Sequence, residues 1–124
     1  MTFLATYFGS SGWLIELGDV RVLIDPWLKG SLEFAPGRWF FEGKLNQANN
    51  IPDNINLLLL TQGLSDHTHV PSLNLLPRSI QVVGSTSAAN KVRKIGYKNV
   101  KPLTPGQSFQ YGDLLIEATA GAPV

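Results

Sequence analysis

The sequence predicts an α/β fold of the α+β kind, a mixed β-sheet with helices on one face. Three observations point there. Val20–Ile24, Ile55–Leu60 and Ile80–Val83 are short, nearly unbroken apolar runs, which suits strands buried on both sides. Segments with helical punctuation follow the second and third runs. Twelve Gly and eight Pro among 124 residues divide the chain into short elements and argue against a helix bundle.

Taken in order, Thr6–Leu17 reads as a strand interrupted by Gly9-Ser10-Ser11-Gly12, a tight turn or bulge. Gly18-Asp19 turns the chain into Val20–Ile24, completing a hairpin, and Asp25-Pro26 stops it because proline has no N–H for the ladder. Residues 27–54 show no period and read as a long loop packed by Trp27, Phe34, Trp39, Phe40 and Phe41. Ile55–Leu60 is a buried strand and Thr61–His69 the loop after it. Val70, Leu73 and Leu76 recur at helical spacing, and Pro77 ends that helix. Ile80–Val83 is a strand. Ser85-Thr86-Ser87 can cap a helix over Ala88–Ile95, with Gly96 as its stop. Val100–Leu103 is a strand, and Ser108–Tyr111, Gly112-Asp113 and Leu114–Thr119 form a closing hairpin.

The length suits one domain, residues 1–124. Absence of cysteine excludes disulfides, thiolate zinc ligands and a thiol nucleophile, and fits a cytoplasmic location. No apolar run approaches the ~20 residues of a membrane span. No basic residue precedes Arg21, so no signal peptide is expected. Net charge is −3 over residues 1–66 and +4 over 67–124. Arg78, Lys91, Arg93, Lys94, Lys98 and Lys101 read as a solvated face. With only Tyr97 interleaved, they do not make a nucleic-acid surface.

The densest polar cluster, Thr61-Gln62-Gly63-Leu64-Ser65-Asp66-His67-Thr68-His69, follows a buried strand at the end where α/β sheets place their sites. Asp66, His67 and His69 could share one metal or substrate. Asp25, at another strand end, reaches the same edge if the strands are neighbours, and is then expected to be buried and bonded to the Thr61–His67 loop. In a purely structural role, Asp66 would accept from loop amides and His67 would cap the next helix. Trp13, Trp27 and Trp39 are expected in the core.

Thr61, Asp66 and His67 resemble the frame of the metallo-β-lactamase superfamily motif Thr-His-x-His-x-Asp-His. Tyr7–Glu16 resembles that family's opening glycine-containing strand, Val22–Trp27 its Leu-Ile-Asp-Pro strand end, and Val82–Ser85 leading into Ala88–Gly96 its next strand–helix unit. The likeness lies nearest the branch of predicted metal-dependent hydrolases that includes the ascorbate-phosphate lactonases. It implies one half of a four-layer αββα sandwich. The first two motif histidines fall on Gln62 and Leu64, so no intact metal site is expected. Asp66, His67 and His69 remain as residual candidates, and Asp25, Thr61 and Gln62 line the cleft. Asp66 matches the carboxylate that orients the attacking water in the family.

The expected function is therefore that of a divergent metallo-β-lactamase-fold protein with an eroded zinc motif, lacking dizinc hydrolase activity and acting as a binding or assembly module. No cofactor is expected, although zinc or another divalent metal could bind. The alternative is a metal-dependent hydrolase with a one-metal site completed by residues or a chain not present here. Helices on one face leave the other face apolar, so a homodimer or a missing second half is expected to cover it. A small-molecule ligand suits the cleft; a membrane or nucleic acid does not.

Overall fold

A computed structural model of the chain describes residues 3–9, 11–28, 31–32, 43–44 and 51–120. Three strands open it: β1 (Phe3–Gly9), β2 (Gly12–Leu17) and β3 (Val20–Ile24). The expected interrupted strand Thr6–Leu17 is thus two strands, paired antiparallel from Phe3↔Leu17 to Gly9↔Gly12. Gly9 makes this reversal at φ 100°, a conformation that a Cβ would disfavour. Two-residue strands β4 (Ser31–Leu32) and β5 (Gly43–Lys44) pair within the segment expected to be loop. Phe34, Trp39, Phe40 and Phe41 lie outside the described residues.

Next come β6 (Leu57–Leu60), α1 (Val70–Leu73), β7 (Gln81–Gly84), α2 (Thr86–Lys94) and β8 (Val100–Pro102). The main sheet runs β1-β2-β3-β6-β7-β8, antiparallel across its first three strands and parallel from β3 onward. Parallel pairing needs crossovers, and α1 and α2 supply those between β6, β7 and β8. Ser85 caps α2, its side chain accepting from Ala88 N, and Gly96 follows the helix at φ 105°, both as the sequence predicts.

Both helices lie on one face. Leu23, Leu58, Leu60 and Val82 meet Leu73 and Val92 there in one buried cluster. Tyr97 closes that layer, its hydroxyl donating to Leu73 O at 2.9 Å while Arg78 sits 5.1 Å from its ring centre. Burial pushes the Tyr97 phenol above its ordinary value, with Arg78 acting in the opposite sense.

The other face is not left open as expected. The closing hairpin, β9 (Ser108–Tyr111) and β10 (Leu114–Glu117), folds back over it. Phe109, Leu114 and Ile116 pack on Val22, Leu57 and Val83. What stays open is narrower: Phe3 is 64% exposed, Tyr7 55% and Trp13 40%, at the β1–β2 edge. Trp13 is thus not a core residue. It packs against Tyr7 with ring centres 4.9 Å apart, one partner across the β1–β2 register, whereas Trp27 is buried.

Candidate functional site

Parallel pairing of β3 and β6 brings their carboxyl ends side by side. The residue after β3 is Asp25 and the residue after β6 is Thr61, so sheet register alone makes them neighbours. Asp25 N donates to Leu59 O at 3.0 Å, carrying the ladder one step past the strand. Asp25 adopts φ 42°, a left-handed conformation that aspartate tolerates better than most residues. Gly12 lies against it: a Cβ there would stand 3.1 Å from Asp25 O and 3.3 Å from Trp27 N.

Asp25 is 2% exposed, and its carboxylate is fully engaged. Oδ1 accepts from Thr61 N at 2.8 Å, and Oδ2 from Thr61 Oγ1 at 2.5 Å. Oδ2 also lies 2.7 Å from His67 Nδ1. An ionised carboxylate only accepts, so the proton of a neutral His67 sits on Nδ1 and its Nε2 carries a lone pair. Nε2 stands 3.6 Å from Asp66 Oδ2. The other Asp66 oxygen, Oδ1, is buried without a hydrogen-bond partner among the described residues. Asp66 is therefore not saturated by loop amides, and His67 does not cap the following helix. The cap position of α1 is His69, whose side chain makes no capping bond to the helix backbone.

Asp25, Thr61, Asp66 and His67 form one constellation; Gln62 and His69 stand apart from it. Gln62 is exposed, and its carbonyl accepts from Thr68 Oγ1 at 2.5 Å. Leu64 is 62% exposed. His69, 5% exposed, lies with Nδ1 2.7 Å from Ser72 Oγ, which accepts from Leu28 N at 2.7 Å. It thereby helps hold the chain just beyond Asp25. Ser72 escaped the sequence reading, and Lys91, read there only as part of a solvated face, has a specific partner. Lys91 of α2 donates from Nζ to Gly63 O. A Cβ on Gly63 would come 2.5 Å from Ser87 Oγ, so the loop lies directly on the first turn of α2. The only sequence signal for that contact is the glycine.

The fold family named by the resemblance holds metal ions, and the donors present fit such a group in part. A carboxylate with a buried oxygen that has no partner among the described residues, and an imidazole fixed by a second carboxylate, make two donors with their outer support. No group of three His, Cys, Asp or Glu that could hold a metal occurs among the described residues.

Residues 5–123 match the family described as beta-lactamase superfamily domain. A metal-dependent hydrolase of Mesorhizobium japonicum is 32% identical over 83 residues, 67% of this chain and 28% of that protein. Among solved structures, a possible metal-dependent hydrolase from Veillonella parvula superposes with TM-score 0.66 at 20% identity, covering 93% of this chain and 46% of the other. CmlA, a diiron beta-hydroxylase from Streptomyces venezuelae, gives TM-score 0.68 at 20% identity, over 95% of this chain and 24% of the other. At that identity the structures share the fold. This chain spans less than half the length of each of these proteins.

Proposed function

Since this chain belongs to the metallo-β-lactamase superfamily, we propose that it is a metal-dependent hydrolase-like protein whose site keeps one cation position in place of two. The observation that carries this is the orientation of His67. Asp25 holds Nδ1, which leaves Nε2 beside an Asp66 carboxylate whose second oxygen is buried and has no hydrogen-bond partner among the described residues. Asp66 and His67 would hold the cation, and such a cation supplies Lewis acidity. Asp25 fixes the tautomer and direction of His67, and Thr61 completes the shell around Asp25. At the places of the first two motif histidines stand Gln62 and Leu64, so a second cation has no imidazole donors there. A catalytic zinc needs three protein donors. The third would come from residues or a chain not present here.

The competing reading is a binding or assembly module without hydrolysis, and the lack of a third donor among the described residues favours it. Metal analysis of protein purified without chelator separates the two. One divalent ion per chain, lost in Asp66→Asn and His67→Ala and kept in Gln62→Ala, is the expected result. Two ions per chain overturn the one-position reading, and none supports the module.

A covering partner belongs to the same proposal. Exposed Phe3, Tyr7 and Trp13 favour a second copy in a two-fold dimer or a second half packed on the β1–β2 edge. Sedimentation across a concentration range is expected to show reversible association that Tyr7→Ser weakens; a monomer at every concentration removes the dimer.

A further inference from the structure

We propose that β1 pairs antiparallel with the β1 of a second copy, joining two main sheets edge to edge. The two outermost strands of that sheet, β1 and β8, differ in kind. β8 is three residues long, carries Lys101 and Pro102, and has Arg93 Nη2 at 3.5 Å from Val100 O. A short edge with a lysine, a proline and an engaged carbonyl resists strand addition. β1 is seven residues long and has neither a charge nor a proline. Every residue from Phe3 to Tyr7 is exposed. An edge of this second kind is a template for another strand.

The pattern within β1 selects a second copy as the occupant. Its register with β2 is regular from Phe3 to Tyr7 and shifts between Tyr7 and Gly9, so the straight run is Phe3–Tyr7 and its midpoint is Ala5. Two-fold antiparallel pairing about that midpoint sets Ala5 beside its own copy, Phe3 beside the partner's Tyr7 and Leu4 beside the partner's Thr6. Phe3, Ala5 and Tyr7 share the sheet face of Ile15, whereas Leu4 and Thr6 share that of Leu14. The first face thus gains an aromatic pair on each side of a small alanine contact, and the second gains two Leu–Thr pairs. No like charges meet: β1 has none, and Glu16, level with Leu4 on β2, is paired with Arg21 at 2.6 Å. Because β8 resists addition, the joined sheet stops at two copies, a closed dimer in place of a fibre. This inference rests on the dimer reading above and specifies it, replacing contact between faces by pairing along a strand.

The chain has no cysteine, so Ala5→Cys introduces a single thiol. Directly opposed residues of an antiparallel pair have Cα atoms about 4.5–5.5 Å apart, within disulfide reach. Oxidised Ala5→Cys is expected to run as a covalent dimer at low protein concentration. Trp13→Cys, one strand further in, is expected to stay uncrosslinked. Phe3→Cys mixed with Tyr7→Cys is expected to give the mixed dimer ahead of either homodimer. In sedimentation, Ala5→Lys sets two ammonium groups side by side on the axis and is expected to weaken association roughly tenfold or more. A monomer at every concentration overturns this pairing together with the dimer reading beneath it. A dimer that Ala5→Lys leaves intact, or one that crosslinks through Trp13→Cys and not through Ala5→Cys, overturns the pairing alone and leaves a face-packed dimer standing. Assemblies that grow past two copies overturn the closed state. Should Ala5→Lys fail to fold, the disulfide pattern decides, since Ala5→Cys is a small change at an exposed position.

Discussion

The two faces of the main sheet are built to different standards. On the helix face Leu23, Leu58, Leu60 and Val82 are sealed beneath α1 and α2. On the hairpin face Ile15, Ile24, Leu59, Phe109 and Ile116 are only partly buried around Val22, Leu57 and Val83. Toward the β1–β2 edge this second layer thins out and aromatic side chains stand in solvent. Two helices crossing parallel strands cover them continuously, whereas a two-stranded hairpin is too narrow for a six-stranded sheet. The candidate site lies at the carboxyl ends of β3 and β6, on the seam between the two faces.

A cavity introduced on each face puts the comparison to the test. Leu58→Ala is expected to cost about 2–5 kcal/mol, because the side chain is fully enclosed and its surroundings cannot collapse freely. Ile116→Ala should cost about 1–2 kcal/mol, since only part of that side chain leaves water on folding. Urea melts of both variants give the values, and equal costs would mean the faces are equally packed. At the seam, Asp25→Ala is expected to cost about 1–3 kcal/mol through its lost charge-assisted bonds to Thr61 and His67. Hydrogen exchange of the Thr61 amide should rise with it; unchanged protection would show that the loop is held by its other bonds.

The smallest effect belongs to Tyr97 on the helix face. Its folded pKa is raised above the ordinary 10.0 by burial, so the native state keeps this proton beyond the pH at which the unfolded chain loses it. The resulting stability is complete below pH 10.0 and is lost as pH rises through the folded value. Tyr97→Phe should cost about 1 kcal/mol near neutrality, for the bond to Leu73 O. It should also flatten the alkaline fall in stability. Melts on either side of the tyrosine titration check both, and a fall as steep in the variant would assign it to other groups.

Much of this architecture can be read from the residues. Unbroken apolar runs mark β3, β6 and β7 because strands covered on both sides cannot alternate. Ser85 and Gly96 bracket α2 because a cap needs an oxygen and a stop needs a positive φ. Asp25 and Thr61 could be paired from their places after buried strands. Contacts set only by tertiary packing were not legible. The reversal at Gly9 is half legible, since the sequence offers a tight turn or a bulge there and the two use the same residues. Nothing local says that β9 and β10 return across the sheet, or that Lys91 reaches Gly63 from 28 residues away. Nor does the sequence tell that His69 is spent on Ser72 while His67, two places earlier, faces Asp66.

Gly63 has one more consequence, for how this loop can change. Ser87 leaves it no room for a side chain, and Lys91 and the first turn of α2 fix its backbone. Its neighbours Gln62 and Leu64 are both exposed. The segment thus combines an immovable spine with two freely rewritable letters, and those letters occupy the places where the superfamily motif has its first two histidines. Drift at 62 and 64 carries little folding penalty in either direction, as is usual for surface positions. A lineage could discard and regain donors there while the rest of the scaffold stays the same, and a combinatorial library restricted to those two codons would sample that history directly.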